Sequence, residues 1–367
     1  MINTRTIPWW EPRMTGHELE RIKAVIDANY LNDGDVTTQF ERALARHLGA
    51  KHVVAVTSGT IAIFMALVAV GIKAGDEVVV PDLTFIATAN AVRLAGATPV
   101  LADIDPRTLL LDPAAFAKAI TPRTRAVVPV HVSGRGARMA EILAIAQKSG
   151  IAVVEDAAEA FGSKESGRSL GLIGAAGAFS FSPNKTITSG QGGAVATDDD
   201  AIAGRLRELK DQGRPVKGTG GDDVHPALGF NFKFTNLQAA VGLAQLEVLE
   251  ERLARQRRNY EIYARELASC AGIELPGFKL GEGELPLWTD AIAERRDDLD
   301  RALAQRGMGC RRFWFPIHTQ APYRLPDAGF PQAMRQAARA IWLPSAFTLT
   351  DDDVVAVSRA IREFYAG

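Results

Sequence analysis

Lys185 stands in the stretch AFSFSPNKTITSGQGG (178–193), after an apolar run and before small residues and glycines. Its flanks are Phe179, Phe181, Pro183 and Ile187 rather than other charges. Apolar surroundings disfavour an ammonium and free the amine to form a Schiff base with a carbonyl; a solvated surface lysine is the plain alternative. Asp156 ends the run IAVVED (151–156). Open parallel sheets bind ligands beyond the carboxyl ends of their strands, so an acid there can pair with a cationic ring nitrogen. The plain reading is that Glu155 or Asp156 caps the next helix. Thr57-Ser58-Gly59-Thr60 lies between a strand run and a helix run, where backbone amides and hydroxyls make a seat for phosphate. Asp82-Leu83-Thr84-Phe85 follows EVVVP, and Phe85 can lie flat on an aromatic ring or belong to the core.

These four features supply an aldehyde partner, a nitrogen partner, a phosphate seat and a stacking ring. Pyridoxal phosphate asks for all of them, the lysine for its aldehyde and the acid to keep its ring nitrogen protonated. Other chemistries lack their residues. Gly171, Gly174 and Gly177 have the wrong spacing for a dinucleotide fingerprint, and there is neither a GxxxxGK[ST] loop nor a GxSxG elbow. The six histidines show no metal-ligand spacing, so no metal is expected.

The elements that must position these residues can be read from periodicity. Thr15 to Glu18 and Thr38 to Glu41 read as capping boxes opening two helices. Strand runs follow at Val53 to Thr57, Glu77 to Pro81, Thr98 to Ile104, Arg125 to Val132 and Ile151 to Asp156. Helical stretches separate them at Thr60 to Val70, Ile86 to Leu94 and Arg138 to Lys148. Strand, helix, strand at this spacing predicts parallel pairing through right-handed crossovers. Ala178 to Ser182 and Gly193 to Asp199 read as a later strand pair, and Thr235 to Leu267 as one long helical region. Within it the basic run Arg252 to Arg258 reads as a solvated face. A Gly- and Pro-rich stretch, Pro276 to Pro286, precedes a strand (Leu287 to Ile292) and helices at Arg295 to Arg306 and Asp351 to Tyr365. The expected class is α/β, a mostly parallel central sheet flanked by helices with a smaller α+β C-terminal domain. The expected division is 1–250 and 251–367.

Composition narrows the function. The 42 basic and 43 acidic residues leave a net charge of −1, with no excess to draw a nucleic acid. Two cysteines exclude a disulfide scaffold. The first residues, MINTRTIPWWEPR, contain no apolar core of signal-peptide length, and no apolar run is long enough to cross a bilayer. A soluble cytoplasmic protein without a membrane partner is expected.

The segments AVTSGTIAI (55–63), GDEVVVPDLTFIATANAVRLAGATPVLADID (75–105), VVEDAAEAFGS (153–163), FSFSPNKTITSGQGGAVAT (179–197), GFNFKFTNLQAAVGLAQL (229–246) and FWFPIHTQAPY (313–323) carry a resemblance. In their order along the chain they resemble the nucleotide-sugar aminotransferases of the DegT/StrS type, fold-type I pyridoxal phosphate enzymes. The resemblance implies that Lys185 captures the cofactor aldehyde and then shuttles the proton, and that Asp156 partners the ring nitrogen. It implies Glu159 near the ring hydroxyl, Ser58, Gly59, Thr60 and Ser180 around the phosphate, and Phe85 on the ring. Asn231 matches an asparagine that reaches the phosphate from the other subunit, so a homodimer with shared sites is implied. The implied activity is amino transfer from L-glutamate to a nucleotide-linked keto sugar in amino-sugar or polysaccharide biosynthesis. Relatives that dehydrate instead carry histidine in place of the lysine.

The PIHTQ segment (316–320) resembles that of perosamine-type enzymes, which aminate a 4-keto-6-deoxyhexose carried on a nucleotide. It makes His318 a candidate substrate residue, with a buried loop histidine as the plain reading. Asn32 is a second candidate, on the loop Tyr30 to Gly34 that replaces the commoner small-residue loop. Arg214 is a third, and Arg311 and Arg312 are further phosphate candidates, with surface arginine the plain reading for each. Two more departures from the family pattern are Gln191, where Glu is common, and Val132 to Gly136 in place of a histidine-tyrosine-glycine type of sequence. The loop 30–34 and the segment 132–136 bear on substrate identity rather than on the reaction. The competing functions are an aminotransferase for a cyclitol or aminocyclitol ketone, and a non-catalytic sensor that keeps the fold.

Overall fold

The β-branched run EVVVP forms a strand buried along its whole length, as expected where helices cover both faces of a sheet. The computed structural model describes residues 6–215 and 224–367. Its large sheet is built from β1 (His52–Val56), β2 (Glu77–Pro81), β3 (Thr98–Ala102), β4 (Thr124–Val127), β5 (Ala152–Asp156) and, beyond a small hairpin of β6 (Lys164–Glu165) and β7 (Arg168–Ser169), β8 (Ala176–Ser180) and β9 (Gly193–Thr197). The order is β1-β9-β8-β5-β4-β2-β3. Pairing is parallel from β3 to β8 and antiparallel at β8–β9 and β9–β1. β1 therefore does not lie beside β2, as the strand–helix–strand rule predicts, but closes the far edge against β9. Its direction still matches β2, β5 and β8, so the carboxyl ends of all four strands open on one edge.

Helices α1 (Glu18–Asp27) and α2 (Asp35–Leu48) precede the sheet, and α3 (Gly59–Ala69), α4 (Ala87–Leu94), α5 (Pro113–Ala119) and α6 (Met139–Lys148) connect its parallel strands. α7 (Asp200–Lys210), α8 (Asn236–Leu246) and α9 (Leu249–Leu267) follow it. The alternation of strand side chains builds two cores. Val54, Val56, Val78 and Val80 pack with α3 and α4, whereas Val53, Ala55 and Ala194 pack with Phe40 and Leu44 of α2.

A second sheet contains β10 (Ile273–Glu274), β11 (Thr289–Ala293), β12 (Arg311–Arg312) and β13 (Ala340–Leu343), in the antiparallel order β10-β11-β13-β12. It packs with α10 (Arg296–Gln305), α11 (Pro331–Ala337) and α12 (Asp351–Ala366). Among the described residues no helix is long and apolar enough to cross a membrane.

Three local expectations need correction. α2 starts at Asp35, so Thr38 is inside it and bonds back to the Gly34 carbonyl at 3.1 Å instead of capping. Glu41, its supposed box partner, accepts from Ala55 N at 2.9 Å. The long helical region is two helices, α8 and α9, separated at Glu247–Val248. Arg252 is not on a solvated face: it is 4% exposed and donates to the carbonyls of Thr186 and Arg13. Burial pulls its pKa down to about 10.

Candidate active site

Four strand ends contribute to one cavity of about 520 Å³. From β1 come Ser58, Gly59 and Thr60 at the start of α3; from β2, Phe85; from β5, Asp156 and Glu159; from β8, Ser180 and Lys185. Trp288, Arg311, Trp314 and Trp342 close it from the second sheet and its flanks. A larger cavity of about 710 Å³ lies between α1, α2 and α8, and none of the expected cofactor residues lines it.

The turn SPNK carries Lys185 out of β8, with Lys185 N donating to the Ser182 carbonyl at 3.1 Å. Its apolar flanks Phe179, Phe181 and Ile187 are in the core beneath. The amine meets a different environment from the one those flanks suggest. Nζ lies 3.3 Å from Glu159 Oε1 and 4.9 Å from the centroid of Trp288.

Alternation along β5 separates its two acids. Glu155 turns under the sheet and accepts from the amides of Gly171, Ile173 and Gly174 and from His131 Nε2 at 2.8 Å. His131 Nδ1 accepts from Ala137 N, which assigns the ring proton to Nε2. Asp156 turns up into the cavity. Its Oδ2 accepts from Thr88 Oγ1 at 2.7 Å and its Oδ1 from Ala158 N at 3.1 Å. Burial raises its pKa, against the pull of these bonds and of Lys185. Burial likewise raises the pKa of Glu159, opposed by Lys185 and by the amide of Ser133 on Oε2 at 3.0 Å. Ser133 makes that bond with φ at +53°, a left-handed conformation uncommon for a residue with a side chain. Its hydroxyl donates to Asp290 Oδ1 at 2.6 Å, and Arg135 pairs with Asp290 Oδ2 at 2.7 Å. The segment 132–136 thus ties Glu159 to β11.

At the other end of the cavity Ser58 caps α3, accepting from Ile61 N. The close approach of α3 to β8 requires glycine: a Cβ on Gly59 would lie 2.8 Å from that of Ser180. Free amides at the start of an 11-residue helix, with Ser180 beside them, suit a phosphate. The amine, the ring-facing acid and the half-exposed Phe85 complete a donor set that fits pyridoxal phosphate.

The remaining candidates lie outside the lining. His318 is fully buried and does not reach it. Its Nδ1 is 2.6 Å from Asp82 Oδ2, its amide donates to Asp82 Oδ1 and its ring stacks on Phe330. It fastens the loop that carries Phe85. Asn32 is exposed before α2, bonded to Asp33 N. Arg214 lies 3.8 Å from Asp211, and Asn231 is exposed, bridging to Asp211 through its backbone. Sequence reasoning missed Thr88, Trp288 and Trp342, and it read the segment that holds Ser133 as bearing on substrate identity rather than on Glu159. Thr88 alone had a signal, one helical turn beyond Phe85.

Residues 12–362 match the DegT/DnrJ/EryC1/StrS aminotransferase family. The chain is 38% identical over 368 residues to the GDP-perosamine synthase of Caulobacter vibrioides, covering 96% of each. It superposes on S. venezuelae DesV, solved in complex with a ketimine intermediate, with a TM-score of 0.94 and 33% identity over 99% of this chain and 100% of that one. It superposes on DesI, solved in the presence of its TDP-sugar product, with a TM-score of 0.89 and 33% identity over 98% and 93%.

Proposed function

This chain belongs to the DegT/DnrJ/EryC1/StrS aminotransferase family, and on that premise we propose that it moves an amino group from L-glutamate to a nucleotide-linked 4-keto-6-deoxyhexose. The observation that carries the reading is the meeting of Lys185 and Asp156 in one cavity with the N-terminus of α3. The likeness to GDP-perosamine synthase and to DesI supports a nucleotide-bound sugar as acceptor. Nothing observed favours the cyclitol ketone or the sensor.

Pyridoxal phosphate, when bound, supplies an electron sink that makes the α-proton of an amino acid removable. The residues divide the remaining work. The first amides of α3, with Ser58, Thr60 and Ser180, hold the phosphate. Phe85 would lie against the ring, and Asp156, its carboxylate oriented by Thr88, would keep the ring nitrogen protonated. Lys185 holds the aldehyde at rest. With the cofactor bound, Nζ of Lys185 would take the proton that leaves the donor carbon and, in the second half of the reaction, would give one to the sugar carbon that receives the nitrogen. A positioned base of this kind contributes about 10²–10⁴-fold. Glu159, 3.3 Å from Nζ, steadies the amine between transfers. The tryptophans from residues 251–367 exclude water above the cofactor held by residues 1–250. Asn231, outside the lining of its own cavity, reaches the phosphate site of a second subunit in a homodimer.

The test is direct. Purified protein loaded with cofactor is given L-glutamate and a 4-keto-6-deoxyhexose on a GDP or TDP carrier. Formation of 2-oxoglutarate and an amino sugar, both seen by mass spectrometry, is expected. Loaded protein that releases no 2-oxoglutarate with either carrier would sink the proposal.

A further inference from the structure

Two cations line the cavity, Lys185 and Arg311. Lys185 is engaged by Glu159. Arg311 and Arg312 are neighbours on β12, and the period of a strand sends them to opposite sides. Arg312 turns outward to Asp300 at 3.2 Å and Asp297 at 3.5 Å, an ordinary surface pair. Arg311 faces the cavity and, like Arg312, is exposed. Its side chain has no ion-pair or hydrogen-bond partner among the described residues. Its guanidinium lies instead against two rings, 4.8 Å from the ring centroid of Trp9 and 5.5 Å from that of Trp342. Contact with the two rings positions the guanidinium and spends none of its five N–H donors. The indole N–H of Trp288, also in the wall, has no hydrogen-bond partner among the described residues either.

A planar guanidinium with unspent donors matches carboxylate and phosphate oxygens, which it can grip by two parallel bonds. Both substrates of the proposed reaction bring such oxygens, and the wall facing the cofactor offers this one cation to receive them. We propose that Arg311 is the anion-recognising residue of this site, receiving the carboxylate of the amino donor or the diphosphate of the nucleotide-linked sugar. The inference rests on the aminotransferase reading and deepens it by naming the group that selects anionic substrates.

The experiment uses cofactor-loaded wild type, Arg311→Gln and Arg311→Lys. GDP and TDP serve as diphosphate probes, and glutarate, which has two carboxylates and no amine, as the donor probe. Affinity is read by calorimetry and by the fluorescence of the tryptophans that hold Arg311. The expected result is a loss of about tenfold or more for at least one probe class in Arg311→Gln, with the cofactor absorption spectrum unchanged. Loss confined to GDP and TDP assigns the diphosphate; loss confined to glutarate assigns the donor carboxylate. Arg311→Lys keeps the charge without the fork and should lose severalfold for the same class. It carries the test if the glutamine variant does not fold. Affinities within twofold of wild type for both classes overturn the inference. Wild type that forms no 2-oxoglutarate from glutamate overturns the aminotransferase reading itself, a separate outcome.

Discussion

Asp156 and Glu159 place two carboxylates, each at least nine-tenths buried, around one amine, Lys185. Burial is the largest influence on both acids and raises both pKa values, so each proton is held more tightly in the folded chain than in the unfolded one. The consequence for stability has a definite sign. Stability from such a group is present below the unfolded value, 3.8 for Asp156, and is lost as pH rises through the folded value. Their contribution to the stability of protein freed of cofactor should therefore fall as pH rises across that window, opposite in sign to that of Glu18, where burial is outweighed by hydrogen bonds that hold the pKa down at about 2. Asp156→Asn removes the buried charge while keeping an acceptor for Thr88. In the cofactor-free state its melting temperature should exceed that of wild type near neutral pH, by a margin that shrinks as pH falls, while amino transfer falls by orders of magnitude. Scanning calorimetry from pH 4 to 8 measures the first effect; a lower melting temperature for the variant at neutral pH would count against it.

At the scale of elements, the loop before α2 is held by a buried ionic cluster. Lys210 at the end of α7 lies 3.0 Å from both Asp33 and Glu41 and is 3% exposed. Removing its charge leaves Asp33 and Glu41 buried without their shared cation, with Ala55 N and Arg207 remaining to Glu41. Lys210→Met is expected to cost about 3–5 kcal/mol, read as a lower urea midpoint with an unchanged slope; a change below about 1 kcal/mol would show that the cluster is solvated. This cluster also shows where the sequence stopped being legible. α7 follows Asp199, whose carboxylate caps it by accepting from Ala201 and Ile202, yet its apolar stripe is thin and it was not expected. The parallel strands were legible because both faces are buried and their runs are continuous in β-branched residues. The antiparallel closure of β1 on β9 was not, because it depends on pairing across more than a hundred intervening residues. Within the site, Asp156 could be read from its place at a strand end, whereas Ser180 came only with the family resemblance. Ser133 and Trp342 could not, since a backbone amide in left-handed conformation and a ring arriving from another sheet leave no periodic mark.

For the whole molecule, one sheet edge gathers the carboxyl ends of β1, β2, β5 and β8, and a second sheet supplies the facing wall. The proposed homodimer adds a testable feature. If Asn231 serves the partner subunit's site, Lys185→Ala and Asn231→Ala proteins are each impaired, yet mixed dimers contain one complete site. Refolding the two together should restore activity toward about half that of wild type per mixed dimer; activity no greater than the sum of the parents would place Asn231 in its own subunit's site or in none. The central claim is the attachment of the cofactor through one amine, and its most direct test is chemical. Protein incubated with pyridoxal phosphate is reduced with borohydride, digested and mapped by mass spectrometry. A pyridoxyl phosphate increment on the peptide containing Lys185, absent from Lys185→Ala, is the predicted result. The same increment on another lysine, or on none, would contradict the account.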